Sequence, residues 1–439
     1  MRVSDLINII NGTLLNNCNH NKSIKHIVIN SKSVHRGDLF VAIKGKKYDA
    51  HDFLNEVIKR RPSAIVVMEK INLETDIPII YVKDSLKALF DISSFYRSKF
   101  NGKMVAITGS VGKTMTKELV YDVLSTKYNV HKSNGNMNNH IGVPMTLTSL
   151  NNDYQYSVIE IGMNHIGEIS NLSKLVKPDL GVITNIGTAH IGNLGSKRKI
   201  FKAKKEILDG MNNGSLIINN NKLLKKIKSK NNKIIVNDLI VTKIYSRLDK
   251  TKFSILINNN EYDFTLNVPG KHLVNNCLLA IKIGLLENID IKNIQKAIYN
   301  YKPLNNRLNI IKKNDITIID DCYNANYEAV LGFIDILPSY KQEKILVLGD
   351  ILELGKFSKS IHRRIGKYAC KRNIENVIFV GKYMYYAHKK YKNSLYFSNN
   401  NELLKYLNEM NLKNKVLALK ASRGMHFEQI INNIKKNDR

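Results

Sequence analysis

The chain has no tryptophan, seven prolines and four cysteines in 439 residues. Cys18, Cys277, Cys322 and Cys370 lie far apart, without a CxxC pair or a Cys/His spacing suited to zinc. That excludes a disulfide scaffold and a structural zinc site, and reads as reduced thiols in a cytoplasmic protein. No stretch approaches the ~18 unbroken apolar residues of a membrane span. The opening MRVSDLINIINGTLLNN lacks the apolar core of a signal peptide. Acids are also scarce: 37 Asp and Glu face 68 Lys and Arg, for a net charge of +31. Such a balance suits a polyanionic partner, or the Lys, Asn and Ile enrichment of an AT-rich genome. The bases are scattered, as in KLLKKIKSK (Lys222–Lys230) and the KKNDR tail, and no aromatic residues interleave them. Composition is therefore the preferred reading and no nucleic-acid partner is expected, although the positive field would draw small anions.

What is present is enough apolar material, 43%, for real cores. The length implies two or three domains. Residues 1–83 hold short strand-like runs, HIVIN, DLFVAIKG, AIVVM and IPIIYV, with helix-like DAHDFLNEVIKRR among them: a small N-terminal α/β unit that ends near Val82–Asp84. Across 84–303, a helix-like SLKALFDISSFYRSKF precedes KMVAIT, YSVIEI, DLGVITN and SLIIN. Continuous apolar runs of this kind suit parallel strands buried on both faces. TKFSILINNNEYDFTL reads as a hairpin turning at NNNE, an antiparallel decoration on that sheet. Residues 304–439 repeat the alternation with TIIDD, KILVLGD, VIFVG and VLALKAS. The expected fold is thus α/β in three domains, the second a doubly wound, mostly parallel P-loop sheet and the third Rossmann-like.

The strongest chemical signal is Gly109-Ser110-Val111-Gly112-Lys113-Thr114, after an apolar strand and before a helix-like segment. GxxGKT is shorter than the common phosphate loop, but the physics is shared. Glycines let backbone N–H groups turn onto phosphate oxygens, and the helix N-terminus adds its positive end. Lys113 would neutralise the β- and γ-phosphates and Thr114 would place a hydroxyl on Mg²⁺. Glu160 ends the YSVIEI strand, where a carboxylate can bind a metal or simply be solvated. His190, beyond DLGVITN, is an unusual partner for Mg²⁺, which prefers oxygen. In FKAKKEI nothing intrinsic marks one lysine. Three polar sets fall at strand ends in the last unit: IIDDCYNANYEAV, then Asp350 and Glu353 in VLGDILELG at the next, and Lys420, Ser422 and Arg423 in LKASRGM at another. Together they point to one crevice.

Taken in order, these motifs resemble the Mur ligase family. TGSVGKT, SNGNMNNHIGVPMTL (Ser133–Leu147), EIGMNHIGEI, NIGTAHI, DDCYNAN, VLGDILELG and KASRGM follow the family's succession over almost the whole chain. DDCYNAN and VLGDILELG are similar to the branch that adds D-alanyl-D-alanine. The D-x-A-H-x-P and DNPR patterns of the branch that adds the third peptide residue are missing. The resemblance implies ATP-dependent amide formation on UDP-N-acetylmuramoyl-tripeptide through an acyl phosphate, by a cytoplasmic monomer, in peptidoglycan precursor synthesis. It implies that Glu160 and His190 hold a second Mg²⁺ and that Lys204, rather than its neighbour Lys205, is carbamylated as a further ligand. It assigns Asn276 to adenine, Arg307 to the γ-phosphate and Asp321 to the ribose. Asn324, Asn326, Asp350, Glu353, Lys420 and Arg423 would receive the dipeptide. Asn138 and Asn139 would contact the muramoyl-peptide. Ser31, Lys44, Asp49 and His51 fall in the uridine region. The chain departs from the family at Leu273, at Tyr327-Glu328-Ala329 and at Asn30-Ser31-Lys32, where Lys cannot make a bidentate grip on phosphate. Another Mur ligase, a folylpolyglutamate-type ligase and, from a different class, a nucleic-acid-stimulated ATPase are the rival readings.

Overall fold

Each long apolar run becomes a strand with both faces covered. Tyr156–Glu160 and Leu180–Ile183 are buried throughout, and Lys103–Thr108 is buried after its first residue. A computed structural model describes residues 1–436 apart from 17, 20, 46, 72, 248, 305 and 314. The end of the basic tail lies outside the described residues.

The first unit is a five-stranded sheet in the order Thr13–Leu14, Ile79–Tyr81, Ala64–Val67, Leu39–Val41, Ile27–Val28. All neighbours are parallel except the first pair. The expected limit at Val82–Asp84 falls at the start of helix Ser85–Lys99, where the Asp84 carboxylate accepts from the Leu86 and Lys87 amides. Ala88, Leu89 and Ile92 of that helix pack in the first unit's core. Arg97, near its other end, donates through Nε to the Val176 carbonyl at 2.6 Å. The helix is therefore the joint between the first and second units.

The second unit carries a six-stranded parallel sheet in the order Asn232–Val236, Ser215–Asn219, Leu180–Ile183, Lys103–Thr108, Tyr156–Glu160, Val130–Lys132. Lys103–Thr108 lies in the middle, where the strand order reverses, so its C-terminal end opens on the crevice of a doubly wound sheet. Ile107 is level with Glu160 on one side and with Val182 on the other.

The hairpin forms as read, Lys250–Ile257 with Asn260–Leu266. Asn258 and Asn259 take φ of 47° and 64°, the left-handed pair that a two-residue turn requires. It does not decorate the parallel sheet, however. A third strand, Ile240–Arg247, completes a separate antiparallel sheet. Only Val241, Ile244 and Ser246 are half-buried while Thr242, Lys243 and Tyr245 are exposed, and this broken pattern hides the strand from a search for long apolar runs. Phe253 and Phe264 stack directly across this sheet, 5.3 Å apart and 11° from parallel.

The third unit orders Asn309–Lys313, Ile316–Asp321, Val416–Lys420, Lys344–Gly349, Asn376–Val380 and Leu395–Phe397, with only the first pair antiparallel. The two short edge strands add to the four that the sequence suggested. The second and third units share one apolar cluster, in which Ile186 and Ile191 join Ala325, Val330 and Leu354.

One edge of the central sheet contains a pH-sensitive contact. His131 places its ring nitrogens 2.9 Å from Ser157 Oγ and 2.9 Å from Ser149 Oγ. Burial pushes its pKa down to about 4. A folded-state pKa below the unfolded value means that stability is lost as pH falls from about 6.5 towards 4, because only the unfolded chain gains the proton readily. Melting temperatures over that range are expected to fall more steeply for the native protein than for His131→Gln.

Candidate active site

The Gly109–Thr114 loop has its shape from two glycines and one neighbouring segment. Gly109 takes φ of +156°, and a Cβ there would meet Thr184 Oγ1 at 1.8 Å. Gly112 takes φ of +80°, and a Cβ there would lie 2.6 Å from the Asn276 amide oxygen. Residues 184–187 pin the loop from the next strand. Asn185 accepts from the Ser110 and Val111 amides, Thr184 Oγ1 donates to the Val111 carbonyl, and the Gly187 amide donates to Ser110 Oγ. Helix Lys113–Leu124 starts directly after Gly112. Its first-turn N–H groups have no intrahelical acceptors, which suits an anion.

Positive charge gathers around this loop. Lys113 Nζ curls back to donate to the Gly109 carbonyl at 3.0 Å. Burial pushes its pKa down and Arg307 adds to the shift, while Glu160 opposes it. Lys204 is 1% exposed, and its side chain makes no hydrogen bond or ion pair among the described residues. Its pKa is pushed well down by burial, then by Lys113. Arg307 stacks 3.9 Å from the centre of the Tyr323 ring and has no carboxylate partner among the described residues. Three basic side chains thus share one neighbourhood, with Glu160 the only acid acting on Lys113 among the described residues. That arrangement is costly unless an anion completes it.

Glu160 is 2% exposed. Asn138 donates to its Oε1 at 2.7 Å, while Oε2 is buried without a hydrogen bond. An unsatisfied buried carboxylate oxygen fits a metal ligand. His190 sits with φ of 60°, its Nδ1 3.0 Å from Glu353 Oε2 but off the line of a hydrogen bond. That contact holds Glu353 below its usual pKa. Thr114, 3% exposed, supplies a hydroxyl. Lys204 as an ammonium does not fit a cation site. As a neutral amine, the form that burial favours, it can take up CO₂ and become an anionic oxygen ligand.

A cleft of ≈ 1180 Å³ runs from the loop into the third unit. It is lined by Ser110, Val111, Gly112, Lys113 and Thr114, by Asn138, Asn139, Glu160, His190 and Asn276, and by Arg307, Asp321, Asn324, Asn326 and Lys420. Asn276 is buried against Gly112 and donates to Met115 Sδ at 3.4 Å. Leu273, where the family has an asparagine, is packed in the core. Lys420 Nζ is 2.5 Å from Asp321 Oδ2 and also donates to the Asn324 carbonyl. Asn326 caps the following helix by accepting from the Ala329 amide. Asn139 likewise accepts from Ile141 and Gly142.

Other expected residues stand elsewhere. Asp350 does not line the cleft: its carboxylate turns into the third unit and accepts from the Tyr383 and Met384 amides. Arg423 is exposed on a turn after strand Val416–Lys420. Ser31, Lys44, Asp49 and His51 all belong to the first unit. Lys44 pairs with Asp49 at 2.9 Å, and His51 lies against both Asp49 and the Met68 amide. Several site residues escape the sequence. Asn185 shows only its place after a strand, and Tyr323 is hidden within DDCYNAN. Glu328 crosses between units to accept from the amide and hydroxyl of Thr188.

A phosphate loop, a cationic pocket and a cleft shared by two α/β units define a nucleotide-dependent ligase architecture. The comparisons agree. Residues 107–284 match the Mur ligase middle domain and 306–423 the Mur ligase glutamate ligase domain. The UDP-N-acetylmuramoyl-tripeptide–D-alanyl-D-alanine ligase of Buchnera aphidicola (subsp. Baizongia pistaciae) is 33% identical over 95% of this chain and 94% of its own. The crystal structure of MurF from Acinetobacter baumannii superposes with a TM-score of 0.90 at 28% identity, covering 99% of each chain. The MurF ligase of Thermotoga maritima in complex with ADP superposes at 0.84 and 27% identity, covering 94% of this chain and 97% of its own. The chain belongs to the Mur ligase family.

Gly112→Ala is expected to weaken ADP binding at least tenfold by driving a Cβ into Asn276. Gly195 has nearly the same φ, +78°, with nothing within 4 Å of a Cβ. Gly195→Ala should therefore cost about 1 kcal/mol of stability and leave ADP affinity unchanged. Calorimetric titration of both variants separates steric contact from backbone strain.

Proposed function

We propose that the chain joins D-alanyl-D-alanine to UDP-N-acetylmuramoyl-tripeptide with cleavage of ATP to ADP and phosphate. The observation that carries this is the gathering of Lys113 and Arg307, with the buried Lys204 acted on by the Lys113 charge, at a phosphate loop in a cleft of ≈ 1180 Å³ that extends to Asn324, Asn326 and Lys420 of the third unit. The names of the relatives give the substrates. The reaction is placed in the cytoplasm, where nucleotide-linked precursors are made. No described helix is long and apolar enough to cross a membrane.

A carboxylate is a poor electrophile, so it must first gain a leaving group. One oxygen of the tripeptide's terminal carboxylate attacks the γ-phosphorus, the bond to the β-phosphate oxygen breaks, and ADP leaves. Two anions meet in this step, and Lys113 and Arg307 reduce their repulsion and stabilise charge on the transferring group. The free amine of the dipeptide, having lost a proton, attacks the acyl carbon. The tetrahedral intermediate then expels phosphate and loses the remaining surplus proton, leaving an amide. Glu160, His190 and Thr114, with Lys204 if carbamylated, are the residues that would hold Mg²⁺. When bound, the metal would neutralise phosphate charge. Asn276 and Asp321 are assigned to the nucleoside. Asn324, Asn326 and Lys420 are assigned to the dipeptide, and Asn138 and Asn139 to the muramoyl-peptide. The acyl phosphate needs protection from water, which the Glu328–Thr188 and Glu353–His190 contacts supply by seating the third unit on the second.

The test is ADP release with ATP, Mg²⁺ and the UDP-linked tripeptide, with and without D-alanyl-D-alanine, together with product mass. Turnover should require the dipeptide and give a product heavier by one dipeptide less water. Lys113→Ala should reduce it by at least a thousandfold. Turnover with a single amino acid instead would move the chain to another branch of the family.

A further inference from the structure

Helix Lys113–Leu124 contains a second buried lysine, one turn beyond the one in the phosphate loop. Lys117 is 0% exposed and lies outside the cleft lining. Its ammonium donates to the Ser133 carbonyl at 2.7 Å and to the Gly135 carbonyl at 3.3 Å, and pairs with Glu118 Oε1 at 2.8 Å. Both carbonyls belong to the loop that leads to Asn138. That loop is also fastened to the strand ending in Glu160. The Glu160 amide donates to Ser133 Oγ at 3.0 Å, the Ser133 amide donates to the Val158 carbonyl, and the Gly162 amide donates to the Asn138 carbonyl. Asn138 then donates to Glu160 Oε1, so one carboxylate oxygen is held and Oε2 is left free. No other described residue bridges the phosphate-loop helix to the 133–135 backbone through a side-chain ammonium.

We propose that Lys117 is a positioning residue. It ties the nucleotide-binding helix to the 133–139 loop, and so holds Asn138 against Glu160 and fixes the direction of the free carboxylate oxygen. The same tether would make the loop assigned to the muramoyl-peptide respond to the seating of the nucleotide helix. This rests on the ligase reading for the identity of the acceptor. The geometric claim about Glu160 does not need it. The alternative is that Lys117 is a satisfied core lysine that matters only for stability. Groups behind a metal ligand change metal affinity about 10–100-fold when removed, and a purely structural lysine would not do so selectively.

The experiment is a double-mutant cycle on the full chain with Lys117→Met, Asn138→Ala and the double variant. It reads Mn²⁺ affinity by electron paramagnetic resonance with ADP present, acceptor KM, and Tm. Each single variant is expected to weaken Mn²⁺ binding about tenfold. Acceptor KM should rise in Lys117→Met, and metal-free ADP affinity should change less than threefold. The double variant should be no weaker than the worse single, because both act through one carboxylate. Lys117→Arg, which keeps a buried cation, should recover most of the affinity. Should Lys117→Met fail to fold, Lys117→Gln makes the same comparison with less loss of polar contact. A lowered Tm with Mn²⁺ affinity within twofold of native, or additive effects in the double variant, would overturn the proposal. Failure of the ligase reading looks different: the unmutated protein would bind Mn²⁺ and ADP normally but show no dipeptide-dependent turnover.

Discussion

The site in the central unit rests on one electrostatic constraint, basic side chains buried together at a phosphate loop. A phosphate loop alone would hold a nucleotide. Here Arg307 is added to Lys113 and, after burial, depresses its ammonium against the pull of Glu160, while burial and Lys113 push the Lys204 amine well down. Such a set is unfavourable in a folded protein unless negative charge arrives. The structure therefore stores a demand for anions at the point where a carboxylate and a triphosphate must approach each other.

The fold keeps that demand in place. The central strand lies between Tyr156–Glu160 and Leu180–Ile183, so the phosphate loop, Glu160 and the 184–187 segment project from adjacent strand ends. The Thr184 and Asn185 bonds to the Val111 carbonyl fix the loop from one side, and Lys117 holds the opposite side to the 133–135 backbone. The third unit reaches the same place through Glu328 and Glu353. It therefore meets His190 and its loop directly rather than through solvent.

How much of this could be read in the sequence depends on whether local chemistry or tertiary burial sets each feature. The phosphate loop was legible because glycine and lysine at that spacing, between strand and helix, have few other uses. The hairpin was legible through its Asn-rich turn, but its separate sheet was not, since Ile240–Arg247 has no apolar run. Lys204 could be distinguished from Lys205 only by family pattern, because burial of one lysine among several arises from packing. Asp350 shows the converse. An acid at a strand end looks like a ligand group, yet its carboxylate serves the Tyr383 and Met384 amides. The Glu328 contact was hidden because it joins residues 140 positions apart.

The central claim, that the pocket brings a substrate carboxylate onto the γ-phosphate, can be tested by following oxygen. The tripeptide's terminal carboxylate would be labelled with ¹⁸O, and the inorganic phosphate released during dipeptide-dependent turnover examined by mass spectrometry. The account predicts one ¹⁸O atom in each phosphate, carried over when the acyl phosphate collapses. Unlabelled phosphate, with the lost oxygen found in water or nucleotide, would contradict it.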